Sequence, residues 1–591
     1  MNNKLGKITG INGSVVKAED MEGFKIREMV LVGTKKLIGE IIIVEGNSAT
    51  IQVYEDCGGL YAGETVESTG KPLSVKLGPG IIGNIFDGIE RPLLKIDDIS
   101  PSFIPEGIGL ISIDENKLWK VSFKKKIGEF LSGGDIFAEV SETPLINHYI
   151  MVPPNICGNV VELKEDGEYN IEEVLMTLDN NGEKHQLRLY QEWPVRTPRP
   201  IKKRKSIEIP LITGQRILDS FFPIAKGGTV AIPGGFGTGK TITQHQLAKW
   251  SDADVIIYIG CGERGNEMTE VLEDFPKLID PKTNIPLMNR TVLIANTSNM
   301  PVSAREASIY TGITIAEYFR DMGYHTAIMA DSTSRWAEAL REISGRLEEM
   351  PAEEGYPAYL PSRLAEFYER AGYAENINGT EGSITVIGAV SPAGGDFSEP
   401  VTENTKRLVS VFLSLDKNLA YARHYPAINW LSSYSGYTAS LQNWYENNVA
   451  KDALALRSKM LGILSEENQL QEIVSLVGED VLPDSQRLTL EMAKVLKIGF
   501  LQQNAYHKDD AYVPMKKQYR MLKVIEKLYD LALLNVKKEV PISLIKNKDI
   551  FESLYKMKYT VPNDDLSQLD EIAENIDLYY GNLYKKYSGE E

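Results

Sequence analysis

The sequence predicts a multidomain protein: an N-terminal β-barrel, an inserted β-rich bulge domain, a central α/β domain built on a phosphate loop, and a C-terminal helical bundle. Three observations carry this prediction. Residues 234–241 read Gly-Gly-Phe-Gly-Thr-Gly-Lys-Thr, a complete G-x-x-x-x-G-K-[ST] loop set between a β-branched run and a helix-period segment. Near-continuous apolar runs alternate with helix-period segments from about residue 206 to 430, which is the pattern of a parallel sheet covered on both faces. Short strand-like segments precede this region, and leucine-spaced, charge-rich segments follow it.

Residues 1–75 carry segments such as Val30-Leu-Val32 and Gly39-Glu-Ile-Ile-Ile-Val-Glu, separated by Gly, Asn and Asp turn signals. A small closed barrel is the natural solution for so many short strands. The α/β domain is expected over 76–111 and 191–435, with strands at 229–233, 255–260, 290–296, 325–331 and 383–388. It is interrupted at 112–190 by a second β-rich stretch with Gly-Asp and Pro-Pro-Asn turns. That stretch has the turn pattern of a lipoyl-like sandwich, but no lysine sits in the hairpin turn where a cofactor would be attached. It is therefore read as a spacer or docking arm. Residues 436–591 are expected to form the helical bundle.

The bulk properties exclude several classes of protein. The chain has 591 residues, a net charge of −18, 42% hydrophobic and 25% charged residues, as expected for a water-soluble globular protein of about three to five domains. No apolar run approaches the roughly 18 residues that span a bilayer. The start lacks a signal-peptide core, which gives the expectation of a cytoplasmic protein. Cys57, Cys157 and Cys261 are far apart and include no C-x-x-C pair, which argues against a disulfide framework or a structural zinc site. A nucleic-acid motor needs a basic groove, and the longest basic run, Lys202-Lys-Arg-Lys205, reads as a solvated linker.

The chemistry follows from the loop. Gly234, Gly235, Gly237 and Gly239 let successive N–H groups converge on an anion, with Phe236, Thr238 and Ile242 completing the surroundings. Lys240 is expected to reach the β- and γ-phosphates, and the Thr241 hydroxyl to ligate Mg²⁺. The next strand ends at Gly260-Cys-Gly-Glu-Arg-Gly-Asn-Glu267. Glu263 is expected to face the γ-phosphate and polarise a water, with Arg264 bracing charged oxygens or locking Glu263. Ala327-Ile-Met-Ala-Asp331 is a Walker-B pattern, in which Asp331 holds Mg²⁺ directly or through its water shell. Arg335 is expected to support Asp331 or Glu263 electrostatically.

The phosphate loop, Gly262-Glu-Arg-Gly-Asn-Glu267, Asp331-Ser-Thr-Ser-Arg-Trp-Ala-Glu-Ala-Leu340 and His424-Tyr-Pro-Ala-Ile-Asn-Trp430 together resemble the catalytic A subunit of V/A-type rotary ATPases of the prokaryotic kind. The resemblance covers essentially the whole chain. It implies a RecA-like nucleotide-binding fold and an alternating hexamer of three A and three non-catalytic B subunits. It also implies a central shaft, peripheral stalks and a membrane sector that moves H⁺ or Na⁺, with ATP and Mg²⁺ at the site. By the same resemblance, Tyr425 stacks on adenine, with Phe500 and Tyr506 as further pocket residues. The transition-state arginine would come from B, and the complex would sit in the cytoplasm, peripheral to the plasma membrane. Glu466-Glu467 is an acidic stretch suited to a basic shaft. One departure is Thr238, where eukaryotic vacuolar relatives carry Cys, so disulfide control of the loop is not expected and Cys261 is read as a small buried residue. A hexameric RNA helicase, a type III export ATPase and a regulatory B-like subunit share parts of the pattern. They lack, respectively, the acidic balance, the 112–190 insertion, and a complete loop with a Glu263 equivalent.

Overall fold

The computed structural model describes residues 4–100, 104–280 and 282–588. It divides into two compact units. The first comprises Met1–Ser206, Lys226–Ala231 and Ala253–Val409, and the second Ile207–Ala225, Ile232–Asp252 and Ser410–Glu591.

The first unit opens on a closed six-stranded barrel of Leu5–Asn12, Val15–Glu19, Glu28–Val32, Leu37–Glu45, Ser48–Val53 and Thr65–Pro72. Alternation of side chains along the strands sends Ile8, Val16, Val30, Ile41, Ile51 and Val66 into a common core. Closure leaves no unpaired edge in a region too short to bury one otherwise.

The inserted stretch forms two four-stranded antiparallel sheets. It is tied to the rest of the first unit by buried polar groups. Glu142 accepts hydrogen bonds from the backbone N–H of Gly80 at 2.6 Å and Ile82 at 3.0 Å. Its other oxygen lies 2.7 Å from Nδ1 of the fully buried His148, whose Nε2 lies 2.8 Å from the Tyr318 hydroxyl. The root of the insert is thus part of this unit's interior.

The α/β sheet of this unit pairs Glu381–Val390, His325–Asp331, Val255–Glu263, Thr291–Thr297 and Ile85–Phe86 in parallel, in that order. Strand Thr229–Pro233 lies beside Glu381–Val390, and the chain passes from the first unit to the second within it. Val255, Ile256, Ile257 and Ile259 are wholly buried, as strands covered on both faces must be. Helix Val302–Asp321 is buried along nearly its whole length.

The basic run corrects one expectation. Lys203–Lys205 is an edge strand paired antiparallel with Gly372–Glu375, not a linker. Lys202 meets Glu375 at 2.5 Å and Lys205 pairs with Glu381, so its charge is answered locally.

The second unit carries helices Gln442–Asn448, Ala453–Val477, Asp484–Val495, Met515–Val536, Lys548–Thr560 and Ser567–Ser588, together with helix Lys240–Trp250 that follows the phosphate loop. Glu466 is exposed on Ala453–Val477, but Glu467 is buried and held at 2.7 Å by Lys497, so only one of the two acids faces outward. Among the described residues no helix is long and apolar enough to cross a membrane.

Candidate active site

The phosphate loop belongs to the second unit and its backbone shows why glycine is required. Gly237 and Gly239 have φ of 76° and 89°, the left-handed region that side chains resist. A Cβ on Gly234 would stand 2.5 Å from Thr238 Oγ1 and 2.8 Å from Leu415 Cβ, and one on Gly235 would stand 2.5 Å from Lys417 Cε. Thr238 donates its hydroxyl to Gly235 O at 2.8 Å and so closes the loop on itself. Lys240 donates to the carbonyls of Gly234 and Gly235 at 2.8 and 3.1 Å, which holds the ammonium over the loop. Thr241 lies half-buried in the first turn of the helix, while Phe236 and Ile242 are 80% and 61% exposed.

Tyr425 lies beside this loop. Its ring edge comes within 3.9 Å of where a Gly239 Cβ would stand, and it is 42% exposed. Tyr506 is 97% exposed on the 502–513 segment. Phe500 departs from the expectation: it is wholly buried, with its ring packed 5.8 Å from that of Phe221. It therefore offers no open face for a base and supports the segment from behind.

The acidic strand ends belong to the first unit. Parallel register sets Gly260 opposite Asp331, so the carboxyl ends of the two neighbouring strands coincide. The strand then bulges between Cys261 and Glu263 around Gly262, whose φ is 74°. A Cβ there would meet Arg305 Cδ at 2.6 Å. Bulges of this kind redirect the side chain that follows, and here that side chain is Glu263. Burial, the Asp331 charge and a hydrogen bond with Glu267 push the Glu263 carboxyl up to about 8. Asp331 is buried, and its Oδ2 accepts the Tyr258 hydroxyl at 3.2 Å.

Arg264 is exposed at the start of helix Gly265–Asp274. Arg335 forms its direct ion pair with Glu338, three residues on, at 3.0 Å. Glu263 acts on it through longer-range charge. Cys261 is wholly buried, its sulfur 3.3 Å from Ser308 Oγ. Sequence reading missed Tyr258, Glu267 and Arg305. Glu267 was the only one inside a sequence motif, and it meets Glu263, at the strand's end, from the first turn of the next helix.

Curated relatives span the whole chain. "V-type ATP synthase alpha chain 2" of Clostridium tetani is 71% identical over 583 residues, covering 99% of this chain and 98% of its own. The chain belongs to the V/A-type branch of the ATP synthase alpha/beta family. "V-type ATP synthase alpha chain" of Halothermothrix orenii is 60% identical, over 99% of each chain. An A-type ATP synthase relative from Methanopyrus kandleri is 55% identical, over 99% of this chain and 100% of its own. Family matches cover the beta-barrel domain at 8–70, the barrel-sandwich domain at 110–196, the alpha/beta nucleotide-binding domain at 214–435 and the C-terminal domain of V and A type ATP synthase at 442–546. The assembled ATPase EscN of the enteropathogenic E. coli type III secretion system covers 88% of this chain and 99% of its own with a TM-score of 0.63 at 21% identity, a likeness of fold alone. As a family member the chain is an ATP-binding component of a larger assembly.

Each unit carries an oxygen donor of the hard kind that Mg²⁺ takes: the Thr241 hydroxyl in the second unit and the Asp331 carboxylate in the first. Among the described residues no cluster of three acidic, His or Cys side chains forms a cage.

Proposed function

We propose that this chain is the catalytic subunit of a rotary V/A-type ATPase, hydrolysing or synthesising ATP coupled to H⁺ or Na⁺ transport across a membrane. The observation that carries the reading is a complete phosphate loop together with Glu263, half-buried and set at a bulge, in a chain 71% identical to a V-type ATP synthase alpha chain.

The loop amides and Lys240 bind the phosphates, and Lys240 leaves the Gly234 and Gly235 carbonyls to do so. Thr241 and Asp331 are the residues that would hold Mg²⁺, whose charge would stabilise the phosphate oxygens. Glu263 orients the attacking water as a carboxylate and is therefore competent only after losing its proton. Tyr258 fixes the Asp331 oxygen that is not needed elsewhere. Tyr425 and Tyr506 supply aromatic surface for the base.

The site is completed in trans. Non-catalytic B subunits flank this chain in a hexamer, and each contributes an arginine worth about 10³–10⁵ in rate in comparable enzymes. Shaft, stalk and membrane sector are the further partners, and the assembly is peripheral to the cytoplasmic face of the membrane. Nucleic acid is not a partner. The test is Mg²⁺-dependent ATPase activity of the purified chain alone and mixed with its B partner. Strong activation on mixing, lost in Glu263→Gln, is expected; activity indifferent to the partner would overturn the shared site.

A further inference from the structure

The phosphate end of the nucleotide is accounted for by the loop, but what fixes the base end is not visible in any motif. Within the second unit, two short π-helical turns, Ile217–Phe221 and Leu496–Leu501, pack through Phe221 and Phe500. Such turns are rare and concentrate at functional sites. Arg216, wholly buried, stands immediately before the first. Its Nε donates to Phe500 O, its Nη2 to Gln502 O at 2.8 Å, and its Nη1 pairs with the equally buried Asp510.

Gln503 is the second member of this knot, and every polar atom of its side chain is used. Its Oε1 accepts the Arg216 backbone N–H at 2.8 Å, and its Nε2 donates to Gly214 O at 2.8 Å and Asp510 O at 2.7 Å. Its backbone N–H donates to Tyr425 O at 2.8 Å. Asp510 in turn accepts the Asn504 N–H at 2.7 Å, and Asn504 Oδ1 accepts the Tyr506 N–H at 2.9 Å. One continuous set of bonds therefore runs from Tyr425, beside the phosphate loop, to exposed Tyr506. Lys558 reinforces it from outside, donating to the carbonyls of Ile498 at 2.6 Å and Gln502 at 3.1 Å.

We propose that the Arg216–Gln503–Asp510 knot is a positioning device for the base of the nucleotide. It sets the gap between Tyr425 and Tyr506 and so governs purine affinity and discrimination while leaving phosphate binding untouched. Gln503 touches no reacting atom; it acts through Tyr425. The knot has a physical reason to be stiff: its members are buried, and each lost partner leaves a polar group without water to replace it. The proposal rests on the ATP-binding reading of this chain.

The test is equilibrium binding of ATP, GTP and inorganic tripolyphosphate to the full-length chain, for the wild type, Gln503→Met and Asp510→Asn. Met keeps the length of Gln and removes its hydrogen bonds. Asn keeps an acceptor for Asn504 and removes the charge opposite Arg216. In both variants ATP affinity should fall about five- to thirty-fold, the size expected for one or two lost bonds. The ratio of ATP to GTP affinity should move towards one, and tripolyphosphate affinity should stay within about twofold. Unchanged ATP affinity in both variants, or an equal fall for tripolyphosphate, would overturn the positioning role. If Gln503→Met fails to fold, Asp510→Asn decides by the same split between ATP and tripolyphosphate. A wild type that binds none of the three would instead sink the ATP-binding reading itself.

Discussion

Tyr258 donates its hydroxyl to Oδ2 of Asp331 at 3.2 Å from the neighbouring parallel strand. This direct bond holds the carboxylate of the Walker-B pattern in one orientation. On the proposed function Asp331 would hold Mg²⁺, and partners one step removed from a metal ligand typically cost 10- to 100-fold in metal affinity when lost. Tyr258→Phe should therefore raise the Mg²⁺ concentration for half-maximal ATPase activity by about tenfold or more, with little change in the fold. A Mg²⁺ titration of both proteins at saturating ATP checks this, and an unshifted curve would show that Asp331 needs no such restraint.

Gly262 separates aim from binding. Alanine there would force φ of 74° on a side chain and set its Cβ 2.6 Å from Arg305 Cδ, so the bulge must shift and Glu263 with it. Gly262→Ala should lose turnover by at least about 100-fold while nucleotide binding to the chain stays within a few-fold, the pattern also expected of Glu263→Gln. Lys240→Ala should do the reverse and lose binding first. Equal loss of binding in all three would contradict this division of roles.

How far the sequence revealed this arrangement depended on how local each cause is. The phosphate loop and the strand ending in Asp331 were legible because their chemistry is written in consecutive residues. For Arg335 the electrostatic link to Glu263 was legible, but its direct partner Glu338, three residues on, was not singled out. Lys202–Lys205 looked like a linker because the acids that answer it, Glu375 and Glu381, lie 173 and 176 residues further along the chain. Phe500 looked like a pocket aromatic, yet its ring packs on Phe221 and its carbonyl is bonded by Arg216, both far away in sequence. Periodicity cannot report contacts of that separation.

The glycines of the phosphate loop should not be equivalent. Gly237 has open space around a would-be Cβ, so Gly237→Ala suffers only the strain of φ at 76°, about 1 kcal/mol. Gly234→Ala would collide with Thr238 Oγ1 and with Leu415, which are fixed by their own packing. ATP affinity measured by titration should therefore fall less than about tenfold in the first variant and well beyond that in the second. The opposite order would mean that loop flexibility, rather than its shape, limits binding.

Glu90 gives the first unit a pH-dependent stability that is independent of nucleotide chemistry. Its carboxyl is buried, accepts the Lys76 backbone N–H at 2.8 Å, and is pushed up to about 8 chiefly by burial. A group whose folded pKa lies above its unfolded value stabilises most below the unfolded value, near 4.5, and loses that contribution as pH rises through the folded one. Between pH 4.5 and 8 the loss amounts to at most about 5 kcal/mol, since each pH unit across that window contributes about 1.36 kcal/mol. Gln at this position keeps the acceptor for Lys76 and has no proton to lose. Glu90→Gln should match the wild type near pH 5 and unfold at a higher temperature near pH 8, as thermal melts at the two pH values would show. Parallel pH profiles for the two proteins would mean that Glu90 is ionised in the folded state and that its burial is offset by charges on the strands around it.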